Sequence, residues 1–357
     1  MRFETEDWHT AGEPFRIVTS VETTGRTVAE RRVRAMTGAP DEARRFLCLE
    51  PRGHDDMYGG FITPPDDEGA DFGVLFWHKD GFSTACGHGT IALGAWAVET
   101  GRVAAPDDGE ATVTIDVPSG RVQAVVHREG GLTTRVVFRS VASRVLATGV
   151  PLTTSRGDVE VDLVFGGAVY ATLPASAVGL SVEPQHTAAL IAIGREIKWA
   201  MDRHPAAQLD DERLSGVYGT ILVDDLGRDA TGPHQRNVTV FADGEVDRSP
   251  CGSGTAARVA LLHARGELAD GEVLRVPGYG FPGLGGAPPG DLNVTIHVAP
   301  HEVLSRDAFD VRMTLAVTGA QLRDGDRVRV PTIGGELAVQ IPPGAAPGQV
   351  LRLRGMG

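Results

Sequence analysis

The sequence predicts an α+β protein built as two similar lobes with a site in the cleft between them, followed by a β-rich tail. Three observations carry this. A Cys-Gly-x-Gly-Thr turn opening an apolar, helix-like run occurs twice, at Cys86 and at Cys251. Short stretches of alternating apolar residues surround each copy. A run of Gly and Pro then precedes a change in the character of the chain.

The first copy is Cys86-Gly87-His88-Gly89-Thr90, leading into Ile91–Val98. The second is Cys251-Gly252-Ser253-Gly254-Thr255, leading into Ala256–Leu262. Each predicts a helix that begins at a cysteine. A helix N-terminus favours negative charge, so both thiols are expected to have lowered pKa values. The glycines let backbone N–H groups approach an anion such as a carboxylate. Two thiols facing each other across a small acid can remove a proton from one face and return it to the other. Such a site needs one thiolate and one thiol.

Between the copies, alternation predicts strands at Val113–Val117, Val159–Leu163, Thr220–Val223 and Val238–Phe241. Leu190, Ile193, Ile197 and Met201 recur at helical spacing within Thr187–Arg203, and His204-Pro205 ends that helix. From Val276 to Asp291, ten of sixteen residues are Gly or Pro, which reads as a linker or wide loop. Beyond it, short alternating segments at Leu292–Val298, Val311–Val317, Arg327–Val330, Glu336–Ile341 and Val350–Leu353 predict an all-β tail. Turns at Gly334-Gly335 and Pro342-Pro343-Gly344 separate them. The expected domains are 1–150, 151–270 and 271–357.

The chain has 357 residues, enough for two or three domains, and 41% hydrophobic content, enough for a sizeable core. A net charge of −13 argues against a nucleic-acid partner. No run suits a membrane span, and the acidic N-terminus has no apolar core of a signal peptide. Three cysteines without C-x-x-C spacing make neither a disulfide framework nor a zinc site, which points to a reducing cytoplasm. No phosphate-loop pattern occurs, and no metal or cofactor is expected. Cys48, between two leucines, reads as core. His9 and His54 read as structural, and Asp55 and Asp56 as a solvated turn. Asp247, four residues before Cys251, offers a carboxylate for a substrate ammonium, or a turn bond to its own backbone.

Together with the two cysteine turns, Trp8–Pro14, Glu50–Gly59, Phe82–Thr90, Phe165–Ala171, Val217–Leu222 and Asp247–Thr255 resemble the proline racemase family over roughly residues 1–270. That family includes proline racemases, hydroxyproline 2-epimerases and trans-3-hydroxy-L-proline dehydratases. The resemblance implies two pseudo-symmetric, diaminopimelate-epimerase-like lobes and a cofactor-independent reaction at Cα of proline or hydroxyproline. It implies Cys86 and Cys251 as the acid–base pair, and Gly87, His88, Asp247, Gly252, Ser253 and Thr255 as substrate-binding. The dehydratase branch carries threonine at the second base, so Cys251 favours an epimerase. Phe165–Ala171 and Phe241–Asp247 look closer to the dehydratase branch. From about Gly271 the chain departs from the family, which implies an incomplete second lobe. It resembles instead the C-terminal region of a DnaJ-type co-chaperone, at Gly290–Val298, Ser305–Asp307, Val330–Gly335 and Gly348–Gly355. No His-Pro-Asp signature or cysteine-rich zinc module accompanies it. The tail implies an unfolded polypeptide as a possible partner, and the racemase part a possible homodimer.

Overall fold

A computed structural model describes residues 2–10, 12–277, 291–295, 304–307, 310–332 and 335–353. The Gly/Pro run from Gly278 to Gly290, the 296–298 end of one expected strand, and Gly334 of an expected turn lie outside them. The described chain divides into two compact units, residues 1–296 and 297–357.

The first unit holds two sheets. The first sheet comprises β1 (Thr5–Thr10), β2 (Glu13–Val18), β3 (Gly59–Thr63), β4 (Phe72–His78), β5 (Gly81–Phe82), β6 (Gly109–Val117), β7 (Gly120–Glu129) and β8 (Leu132–Arg139). Its order is β1-β2-β3-β4-β6-β7-β8, with β5 paired to β4. Helices α1 (Val28–Ala35) and α2 (Ala39–Cys48) cross between the parallel strands β2 and β3, and α3 (Gly87–Glu99) crosses between the parallel strands β4 and β6. Parallel neighbours require such crossovers.

The second sheet comprises β9 (Arg144–Thr154), β10 (Gly157–Phe165), β11 (Val169–Pro174), β12 (Val217–Asp229), β13 (Gly232–Phe241), β14 (Glu245–Val246), β15 (Val273–Pro277) and β16 (Asp291–Thr295). Its order is β16-β15-β13-β12-β11-β10-β9, with β14 paired to β13. Helix α4 (Thr187–Met201) crosses between the parallel pair β11 and β12, and α5 (Gly252–Ala264) between the parallel pair β13 and β15.

Pairing sense, strand by strand, reveals the duplication. In the first lobe β4 pairs antiparallel with β5 and parallel with β6, and α3 lies between those partners. In the second β13 pairs antiparallel with β14 and parallel with β15, and α5 lies between. The antiparallel pair β6–β7 finds its counterpart in β15–β16. Strand β16 therefore stands where the first lobe has β7, although its residues come from beyond the Gly/Pro run. No counterpart of β8 occurs among the described residues.

The apolar spacing explains the packing. Leu190, Ile193, Ile197 and Met201 are buried on the inner face of α4, as their spacing predicts. Trp96, Leu93 and Ala97 of α3 pack on Val113, Ile115, Ala124 and Val126. Strand β4 is buried along its whole length, as a central strand covered on both faces must be. Cys48 ends α2, fully buried, with its thiol donating to the Met57 carbonyl oxygen at 3.4 Å.

The second unit corrects the all-β expectation. Two hairpins occur, β17 (Leu304–Asp307) with β18 (Asp310–Met313), and β19 (Asp326–Thr332) with β20 (Gly335–Ile341). Between them Gly319–Asp324 forms a short helix, α6, because Thr318 and Gln321 make a reciprocal capping box. Thr314–Val317 leaves the expected strand before that cap, and Val350–Leu353 has no regular structure. Val350 is exposed, as a strand residue facing a core would not be.

Candidate active site

The two cysteine turns meet at the lobe boundary. Cys86 is the N-cap of α3, and its Sγ accepts the Gly89 N–H at 3.2 Å. Cys251 holds the same position on α5, with a positive φ of 59°, a region non-glycine residues seldom occupy. The first glycines of the two motifs touch backbone to backbone. A Cβ on Gly87 would lie 2.6 Å from the Gly252 Cα, and one on Gly252 would lie 2.9 Å from the Gly87 Cα. The second glycines make room for sulfur: a Cβ on Gly89 or on Gly254 would lie 2.9 Å from its own motif's Sγ.

Both cysteines line one small cavity with Gly87, His88, Asp247, Gly252 and Ser253. Its free room is about 10 Å³, enough for a single water. The lobes are therefore closed, and a ring-sized ligand requires them to part. His88 stands beside the first thiol, with Nδ1 3.5 Å from Cys86 Sγ. Burial holds the His88 imidazole down to about 3, so it is neutral. Ser253 Oγ lies 2.7 Å from the Tyr170 hydroxyl. Asp247 makes the turn bond its position allowed and also faces the cavity. Its Oδ1 accepts the Ser249 N–H and Oγ–H at 2.8 and 2.6 Å. Burial lifts its pKa to about 6, against the lowering effect of those bonds.

Thr255 differs from its expected role. It is fully buried, does not line the cavity, and its hydroxyl donates to the Pro250 carbonyl at 2.6 Å, tying down the start of α5. The lowered thiol pKa values are also corrected. Burial pushes Cys86 well above the usual thiol range and Cys251 to about 12, and the nearby Asp247 adds to both shifts. The Gly89 N–H opposes this at Cys86 but is outweighed. In the closed cleft desolvation beats the helix terminus.

Beside Ala85, three tyrosines and a phenylalanine complete the wall: Tyr58, Tyr170, Tyr218 and Phe241. The Tyr58 and Tyr218 hydroxyls lie 3.0 Å apart across the lobe boundary. None of the four is singled out by the sequence pattern, although all stand inside segments that resemble the family or its dehydratase branch. Asp56 is also more than a solvated turn. Its Oδ1 accepts the Val246 N–H at 3.2 Å, and its Oδ2 lies 3.6 Å from Arg248. With Asp80, which accepts the Asp243 N–H, and Glu13, which accepts the Arg248 N–H, it ties one stretch of the second lobe to the first. His9 is exposed and accepts the Gly12 N–H, a turn role. His54 is half-buried, and burial lowers its pKa. Among the described residues, two trios hold ligand-type atoms within 4.8 Å of one another, Glu13–His88–Asp247 and His78–Asp80–Glu245. No helix among the described residues is long and apolar enough to cross a membrane.

Two pseudo-symmetric lobes each contribute a cysteine at a helix start to one closed cleft. Residues 6–278 match the family model described as proline racemase, and the chain belongs to that family. Residues 265–357 match the model described as DnaJ C terminal domain. The chain is 43% identical to a trans-3-hydroxy-L-proline dehydratase of Bacillus cereus over 279 residues, 76% of this chain and 81% of the relative. It is 41% identical to a trans-L-3-hydroxyproline dehydratase of Xenopus tropicalis over 269 residues, 73% of this chain and 75% of the relative. Among solved structures, a hydroxyproline epimerase from Agrobacterium vitis with bound trans-4-hydroxy-L-proline superposes with a TM-score of 0.69 at 29% identity. That match covers 76% of this chain and 80% of the other. A probable proline racemase from Agrobacterium radiobacter with bound carbonate gives a TM-score of 0.74 at 26% identity, over 87% and 88% of the two chains.

Proposed function

We propose that the protein epimerises a free hydroxyproline at Cα, with Cys86 and Cys251 as the two bases and no cofactor. The supporting observation is that both cysteines, from two separate helix starts, line one cavity together with Asp247. Asp247 takes the ring ammonium. Backbone N–H groups at the starts of α3 and α5 face the substrate carboxylate and stabilise charge that develops there. One thiolate removes the α-proton, and the opposite thiol delivers its own proton to the other face. Since both thiols are held neutral in the closed cleft, the thiolate forms while the lobes are parted or when the ammonium arrives.

A second reading is favoured by the names of relatives at 41–43% identity: dehydration of trans-3-hydroxy-L-proline. The first step is the same. The electron pair left at Cα forms a double bond to C3, and the hydroxyl leaves as water once it gains a proton. The resulting enamine tautomerises to a cyclic imine. Incubation with trans-3- and trans-4-hydroxy-L-proline in deuterated water separates the outcomes. Deuterium at Cα with inverted configuration supports epimerisation, and a cyclic imine product supports dehydration. Absence of both α-exchange and imine formation with either compound rejects both.

The reading further places the protein in the reducing cytoplasm, where its three free thiols persist. A homodimer and polypeptide binding by the tail belong to the same proposal. Sedimentation and suppression of aggregation of a test protein check them.

A further inference from the structure

Glu13 opens β2 in the first lobe, and Asp247 follows β14 in the second. Glu13 is fully buried and Asp247 nearly so. Their carboxyls approach within 4.8 Å, with His88 as near to both. Two carboxylates that close in a buried site do not both ionise.

Hydrogen bonding tells the two apart. Asp247 Oδ1 accepts two donors from Ser249, at 2.8 and 2.6 Å, which suits an anion. Glu13 Oε2 accepts one N–H, from Arg248, at 2.9 Å, and its Oε1 is buried with no partner. A bare carboxylate oxygen there is costly, whereas a hydroxyl supplies a donor beside an anion. We propose that Glu13 is the protonated member of an acid–carboxylate pair, a positioning residue that keeps Asp247 as the single carboxylate anion of the cleft.

The surroundings agree. Arg248 and Asp56, paired at 3.6 Å, act on Glu13 with opposite signs. His88 on α3 is neutral, and Cys86 and Cys251 are thiols in the closed state. The proposal rests on Asp247 as receptor of the substrate ammonium. One anion matches one ammonium. A second, at Glu13, would repel both the substrate carboxylate and the catalytic thiolate.

Infrared difference spectroscopy of the full chain at neutral pH, wild type minus Glu13→Gln, reads the proton directly. The expected result is a carboxylic-acid C=O band that moves to lower frequency in deuterated water and is lost in the variant. Glu245→Gln accounts for Glu245, another buried acid whose pKa burial raises, to about 10. In Asp247→Asn the Glu13 band should titrate away about one pH unit or more lower than in the wild type, because the charge it faces is gone. Should Glu13→Gln fail to fold, that shift carries the test alone. Carboxylate bands in place of the acid band, or a titration indifferent to Asp247→Asn, overturn the pair. Failure of both α-exchange and imine formation with hydroxyproline would reject the enzymatic reading and leave the band unmoved.

Discussion

Asp247 and the two thiols set what each side chain must do at a given pH. Burial lifts the Asp247 pKa to about 6, so in its proposed role as ammonium receptor it loses its charge below that value. We expect kcat/KM to fall on the acid side with an apparent midpoint near that value, read from a pH–rate profile of either reaction. A flat profile down to pH 4 would remove Asp247 from substrate binding. Cys251→Thr keeps a side chain of similar size but removes the second base. It should abolish epimerisation while proton abstraction by Cys86 continues, so deuterium exchange and any imine formation survive. Chiral analysis beside an imine assay separates the two, and undiminished epimerisation would reject the assignment. The buried histidines act on stability. His78 and His88 are both held to about 3, below their ordinary value of 6.5. The unfolded chain then binds more protons, so their contribution is complete above about pH 6.5 and is lost as pH falls toward 3. Thermal melts should show the midpoint dropping across that window, less so in His78→Asn if His78 contributes.

At the scale of elements, α4 and its contact with β13 offer the clearest test. A Cβ on Gly194 would lie 2.7 Å from the Val240 Cβ, inside a close helix–sheet contact. Gly194→Val should cost about 1–3 kcal/mol by overpacking, and Ile197→Ala about 2–5 kcal/mol by leaving a cavity. Denaturant unfolding measures both, and losses under 0.5 kcal/mol, roughly the scatter of surface substitutions, would contradict the packing. The same helix was legible in the sequence because its four core residues keep helical spacing and its end is marked by His204-Pro205. Helices α1 and α2 were not. The first reads VAERRVRA, and its inward face includes Arg31, whose guanidinium is satisfied by the Gly25, Arg26 and Pro64 carbonyls rather than by apolar packing. Hydropathy cannot anticipate that solution. The cysteine turns were legible because they are duplicated. Glu13 was not, since its partner Arg248 lies 235 residues away and only the closed lobes bring them together. The thiol shifts failed for a related reason: a helix start is a local signal, but desolvation depends on the opposite lobe.

For the whole molecule, β16 is the decisive strand. It covers β15 in the place that β7 takes beside β6. A chain ending at Pro277 would leave β15 as an open edge with unpaired backbone groups, a template for association. We expect that truncation to lower the melting midpoint and to form soluble aggregates on size exclusion, whereas a chain ending at Ile296 should remain monodisperse relative to the full chain. Equal behaviour of the two truncations would show that β16 contributes nothing to the lobe. The co-chaperone-like sequence thus supplies at least one strand to the enzymatic unit, and the family boundary does not coincide with the unit boundary.

The meeting of Gly87 and Gly252 works as an end stop. Neither glycine leaves room for a side chain, so the nearness of the two helix starts is gauged by bare backbone. A single methyl group at either position is a shim. We expect Gly87→Ala to push the two helix starts apart, and with them the two proposed bases, which lower α-exchange of hydroxyproline in deuterated water would read.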